Sequence, residues 1–140
     1  ALNKAIRDAL IDAPGIGDGL DQWKNEPAVF TRRPLPDDAP ARCILINPPS
    51  AQGDEDGLDS PRPWFIKDVV VYGALPDDFR TVEEIADLIY LLFHRKRFSV
   101  QPEGYSVIDI VATGPTPAPV DDESTVGRLV SLTIRLRRNS

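Results

Sequence analysis

From Val126 to Arg137 the chain alternates almost without interruption. Val126, Val130, Leu132, Ile134 and Leu136 fall on one parity, and Ser131, Thr133, Arg135 and Arg137 on the other. Successive side chains of a strand point to opposite faces, so this pattern dictates a strand with one covered and one solvated face. Such a strand belongs to an antiparallel sheet packed on one side only. Arg128 breaks the inward row and calls for a local explanation.

A second segment must supply the cover. Val82, Ile85, Ala86, Ile89, Leu92 and Phe93 form a wide apolar stripe at helical spacing. Thr81-Val-Glu-Glu84 before it reads as a capping box, with the Thr hydroxyl on the third helical amide and Glu84 reaching back. His94-Arg95-Lys96-Arg97 stands at the far end, where cations complement free carbonyls. Leu2, Ile6 and Leu10, with Ala5 and Ala9, predict a shorter amphipathic helix ended by Pro14-Gly15.

The remaining apolar runs read as strands. Val29-Phe30 is a short one. Arg42 to Asn47 is apolar on both parities and should be buried on both sides. Trp64 to Tyr72 places Trp64, Ile66, Val70 and Tyr72 on one parity, interrupted by Asp68, with Phe65, Val69 and Val71 on the other. In Tyr105 to Thr113, Ser106, Ile108, Ile110 and Ala112 oppose Tyr105, Val107, Asp109 and Val111. The proline-rich stretch 34–40, the loop Pro48 to Pro63 and the connection Gly114 to Thr125 separate them. No strand–helix alternation repeats. The expected fold is therefore α+β, one domain over residues 1–140, with an antiparallel or mixed sheet of about four strands and both helices on one face.

Composition bounds the function. The 140 residues suffice for one core, and the fourteen prolines gather between the periodic segments, as ordered loops require. Cys43 is the only cysteine, so no intrachain disulfide is available and a reducing compartment suits the chain. No apolar run approaches the roughly 20 residues of a membrane span, and no secretory leader is evident. The absence of methionine is expected from removal of an initiator before Ala1, after synthesis in the cytoplasm. A net charge of −6 argues against sequence-independent grip on nucleic acid. Acids crowd Asp37–Asp38, Asp54–Asp59 and Asp121–Glu123, whereas bases gather at Arg95–Arg97 and Arg135–Arg138, a segregation that suits contact between proteins.

Chemistry is sought next. His94 is the only histidine and reads as a helix cap before a general base; Cys43 reads as a small apolar core residue before a nucleophile. One His and one Cys cannot make a zinc site unless carboxylates supply most ligands. Asp54-Glu55-Asp56-Gly-Leu-Asp59 resembles part of a calcium loop but lacks the distal bidentate Glu, so a solvated acidic loop is the better reading. Gly15-Ile-Gly17-Asp-Gly19 follows a helix, whereas a phosphate loop precedes one. No catalytic residue, metal or cofactor is expected. Arg95, Lys96, Arg97, Arg128, Arg135 and Arg137 are the candidates for an interface with another protein subunit, and Asp54, Glu55, Asp56 and Asp59 for a protruding acidic loop.

The order of these elements resembles the tail terminator (tail completion) proteins of long-tailed phages and gene transfer agents. The helix Ala1–Ile11, the strand Arg42–Asn47 and Phe65–Val71 running into Tyr72-Gly73 carry the likeness. The helix Thr81–Phe93, Gly104-Tyr105 before a strand and the final strand Val126–Arg137 complete it. The likeness spans nearly the whole chain and is one of pattern. The long acidic loop and the extra prolines depart from the shorter connections expected. The resemblance implies a non-enzymatic virion protein at the head–tail junction, a hexameric ring that caps the tail tube and ends its polymerisation. Its implied partners are further copies of itself, the tail tube protein and the head-side connector or stopper, with DNA passing the lumen unbound and no membrane involved. Another head–tail joining or tail-tube subunit is the alternative within assembly. A small calcium-binding or enzymatic domain is the alternative outside it.

Overall fold

The computed structural model describes residues 2–31, 35–46, 64–120 and 123–139. The elements run α1 (Leu2–Asp12), β1 (Gln22–Trp23), β2 (Glu26–Pro27), β3 (Val29–Phe30), β4 (Cys43–Ile46), β5 (Trp64–Ala74), α2 (Phe79–Phe93), β6 (Tyr105–Pro117) and β7 (Thr125–Arg138). A five-stranded sheet has the order β3-β4-β5-β7-β6, and β1 with β2 forms a separate two-stranded hairpin. All pairings in the large sheet are antiparallel except β3 with β4, which makes the sheet mixed. The fold is α+β as expected. The sheet gains β3 as a fifth strand, and the hairpin is an addition.

The alternation of β7 sets the layers. Val126, Val130, Leu132, Ile134 and Leu136 join one core with Ile44 and Ile46 of β4, Val69 and Val71 of β5, and Ile110 and Ala112 of β6. Ile6 and Leu10 of α1 and Val82, Ile85, Ala86, Ile89 and Phe93 of α2 close it from above, so both helices cover the same face. Full burial of each large aliphatic side chain contributes about 1.5–3 kcal/mol before entropy is counted. All four residues of β4 are buried, as the two-faced apolar run predicts. Cys43 and Leu45 point to the opposite face and pack with Ala28 and Phe30, flanked by Trp23, Leu35, Ala39 and Tyr72. Trp23 meets Phe30 edge to face at 5.0 Å.

Three local expectations change. The capping box is not used. α2 begins at Phe79 with Asp78 at the N-cap position, so Thr81 lies inside the first turn, and Glu84 pairs with Arg80 at 3.2 Å. Tertiary contacts decide this. The Asp78 carboxylate accepts from the Ala74 amide at 2.8 Å and from Arg42 at 3.2 Å, closing the turn from β5 into α2. Gly73 allows the close approach, since a Cβ there would stand 2.6 Å from Val82 Cγ2 and 2.7 Å from Asp78 Cβ.

The second change is in β6. Val107 pairs with Leu136 and Asp109 with Arg135, leaving Ile108 as a bulged residue without a partner. The bulge switches parity, so Tyr105 and Val107 pack on the helix side before it and Ile110 and Ala112 after it. Ile108, expected to share a face with Ile110, is 44% exposed instead. Third, β6 extends past Thr113 to Pro117, which shortens the expected connection.

Candidate assembly surface

The C-terminal end of α2 is built onto the free edge of β6. His94 ends the helix, its amide donating to the Tyr90 carbonyl at 2.9 Å. Its ring stacks on Tyr90 and its Nδ1 accepts the Ala112 amide at 3.1 Å. The cap reading of His94 therefore holds, and the same side chain also satisfies an amide of an edge strand. Arg95 continues along the edge. It adopts a left-handed φ of 58°, and its amide donates to the Ile110 carbonyl at 2.8 Å.

The three cations that follow the helix have different partners. Arg95 Nη1 pairs with Asp109 at 2.8 Å, an intramolecular contact. Lys96 Nζ donates to the Leu91 carbonyl at 3.3 Å, the C-terminal complementation expected of a cation there. Arg97 lies over the Phe98 ring at 4.7 Å. Among the described residues neither Lys96 nor Arg97 meets a carboxylate. Together with Leu92, Ser99, Ile108 and Asp109 they line an open groove of about 560 Å³. Its rim carries Phe98, 75% exposed, and Leu91 stands 60% exposed on the last turn of the helix. Exposed large apolar side chains beside unpaired cations have the mixed character of protein contact surfaces.

The other candidates separate. Arg128 does not reach outward. It pairs with Glu83 at 3.2 Å, donates to the Gly127 carbonyl at 2.9 Å and lies over Phe79 at 5.3 Å, which explains its place in the inward row of β7. Arg135 and Arg137 are exposed on the sheet face away from the helices, opposite Asp109 and Ser106 in register. Neither lines the groove beside Arg97. Asp54, Glu55, Asp56 and Asp59 lie outside the described residues.

Sequence reasoning named the cations and passed over the apolar members. Leu91 carried a weak signal, being an aliphatic residue off the buried stripe of its own helix. Ile108 could not be found, because the bulge that exposes it is a matter of register. A polar centre was missed as well. Arg42 pairs with both Asp21 and Asp78 at 3.2 Å, tying the segment before β1 to the start of α2.

Catalytic chemistry finds little support in the same geometry. Cys43 is buried, and desolvation, with the nearby Asp21 carboxylate adding to it, raises its thiol to about 11, so it is a protonated core residue. Among the described residues no group of three or more His, Cys, Asp or Glu is placed to hold a metal, and no helix is long and apolar enough to cross a membrane. Gly17, in the loop that resembled a phosphate site, packs against the end of α1, where a Cβ would fall 2.3 Å from the Ile11 carbonyl oxygen. That glycine serves the helix stop.

No known family model matches the chain, and no curated protein matches it in sequence. Solved structures do match in fold. A chain from the virion of a native gene transfer agent particle superposes with a TM-score of 0.69 at 14% identity, covering 100% of this chain and 96% of that one. A second solved structure superposes with a TM-score of 0.62 at 16% identity, covering 100% of this chain and 93% of the other. The chain thus shares its fold with a chain of a gene transfer agent virion.

Proposed function

We propose that this chain is a structural virion protein of the tail-terminator kind. In this reading, copies of it close into a hexameric ring on the tail tube, stop its polymerisation and present a surface to the head-side connector. The observation that carries the reading is the end-to-end fold likeness to a gene transfer agent virion chain, with neither chain leaving a large part unmatched. The groove beside Phe98 supports it, since a ring subunit needs a surface for its neighbour. An enzymatic role gains no such support, as His94 is engaged by the edge strand and Cys43 is enclosed.

Negative-stain electron microscopy of the concentrated protein tests the reading. Closed six-fold rings that do not stack are expected. Long tubes would move the chain to the tail-tube role, and a micromolar calcium requirement for thermal stability would favour a calcium module instead. Within the same proposal, the charge of Asp54, Glu55, Asp56 and Asp59 repels DNA passing through the ring. Neutralising all four to Asn or Gln should leave assembly intact and slow genome delivery; unchanged infectivity would remove that role.

A further inference from the structure

The two ends of α2 carry opposite charge and matching apolar side chains. At the C-terminal end stand Lys96 and Arg97 with Leu91, Phe98 and Ile108, all exposed. At the N-terminal end Leu75 and Phe79 are 38% and 42% exposed, in a stretch where Asp77, Asp78, Glu83, Glu84 and Asp87 face the single cation Arg80. Asp78 is held by Arg42 and the Ala74 amide, and Glu83 by Arg128. Asp77 meets no cation among the described residues, and the only one on Glu84 is the neighbouring Arg80. Fifteen residues of helix hold the two ends about 20 Å apart. They cannot meet within one chain.

We infer that α2 is the axis of a head-to-tail contact between copies of this chain: the basic, apolar C-terminal end of one copy, around Arg97 and Phe98, seats on the acidic, apolar N-terminal end of the next, around Asp77 and Phe79. The occupant is a second copy because the complementary surface is on the chain itself, opposite in charge and alike in apolar content. Two different patches on one molecule make a heterologous contact, and heterologous contacts close into rings when the rotation permits. The assignment rests on the ring reading above and specifies the surface that builds it. The Arg135 and Arg137 face is left for other contacts.

Paired charge reversals test it. Lys96→Glu with Arg97→Glu makes both ends acidic, and Asp77→Lys with Glu84→Lys makes both ends basic. Each double variant alone should remain monomeric by sedimentation while keeping the wild-type far-ultraviolet spectrum and a cooperative melting transition. Mixed in equal amounts they should assemble, because every contact in an alternating ring then joins an acidic end to a basic one. Arg135→Glu with Arg137→Glu, on the other face, should assemble like the wild type. Assembly of either double variant alone overturns the assignment, and so does failure of the folded pair to assemble when mixed. Wild-type rings indifferent to all these reversals overturn this surface and leave the ring reading standing. Wild-type protein that stays monomeric at about millimolar concentration overturns the self-contact, and binding to isolated tails then tests the terminator reading separately.

Discussion

α2 begins and ends on a phenylalanine, and the two have opposite surroundings. Phe93 is fully buried among both helices and the sheet, whereas Phe79 is 42% exposed beneath the Arg128 guanidinium. The polar anchors are reversed. At the Phe79 end the anchor is dense and half-buried: Arg42, Asp21, Asp78 and the Ala74 amide bind one another. At the Phe93 end the anchor to the edge strand is one imidazole, one backbone bond and the exposed Arg95–Asp109 pair. The first end is held by polar groups with apolar side chains left outside, the second by an apolar plug with cations left outside. On the proposed head-to-tail contact, stability and assembly fall to different atoms of the same helix, so each can be broken without the other.

The largest effect should come from the plug. Phe93→Ala is expected to destabilise by about 3–5 kcal/mol through lost burial and a residual cavity. Phe79→Ala should cost less than about 1 kcal/mol, as for other exposed positions. Equal losses in urea titrations of the two variants would break the comparison. Next is the polar anchor. Asp78→Ala removes the acceptor of the Ala74 amide and one of the two carboxylate partners of the partly buried Arg42, an expected loss of about 1–3 kcal/mol in the same titrations. His94→Ala leaves the Ala112 amide without its acceptor and should cost about 1 kcal/mol, with faster hydrogen exchange at Ala112 as the specific readout.

The smallest effect concerns Lys67, which lies 5% exposed on the helix-covered face of β5, in register with Leu132. Burial lowers the pKa of its ammonium below the usual 10.5, so the unfolded chain binds the proton more tightly than the folded one. The resulting penalty is fully present below the folded value and fades as pH rises toward 10.5. Lys67→Met should therefore raise the melting temperature at pH 7, an effect of about 1 kcal/mol or less, and the gain should shrink as pH approaches 10. A gain independent of pH would assign the effect to packing alone.

The elements legible in the sequence were those whose period is local. The stripe of α2, the buried run of β4 and the alternation of β7 each fix their own face, and together they fix the class and the side on which the helices lie. What was not legible depends on partners far along the chain. Whether Thr81 or Asp78 starts the helix is decided by Arg42, which lies 36 residues from Asp78, together with the Ala74 amide, and neither belongs to a cap motif. The bulge at Ile108 depends on the register of β6 with β7. The parallel pairing of β3 with β4 spans the segment between them and leaves no trace in a two-residue strand. The candidate surface followed the same rule. Its charges were visible as the run Arg95–Arg97, but Phe98 and Ile108 became part of it only once the chain was folded along the β6 edge.

The central claim is that the cation-bearing end of α2 builds the assembly while the plug beneath it builds the fold. Native mass spectrometry of the wild type and Phe98→Ser, recorded side by side, tests this most directly. The account predicts six copies of the 15.4 kDa chain for the wild type and a folded monomer for Phe98→Ser. A hexamer that survives Phe98→Ser unchanged would contradict it.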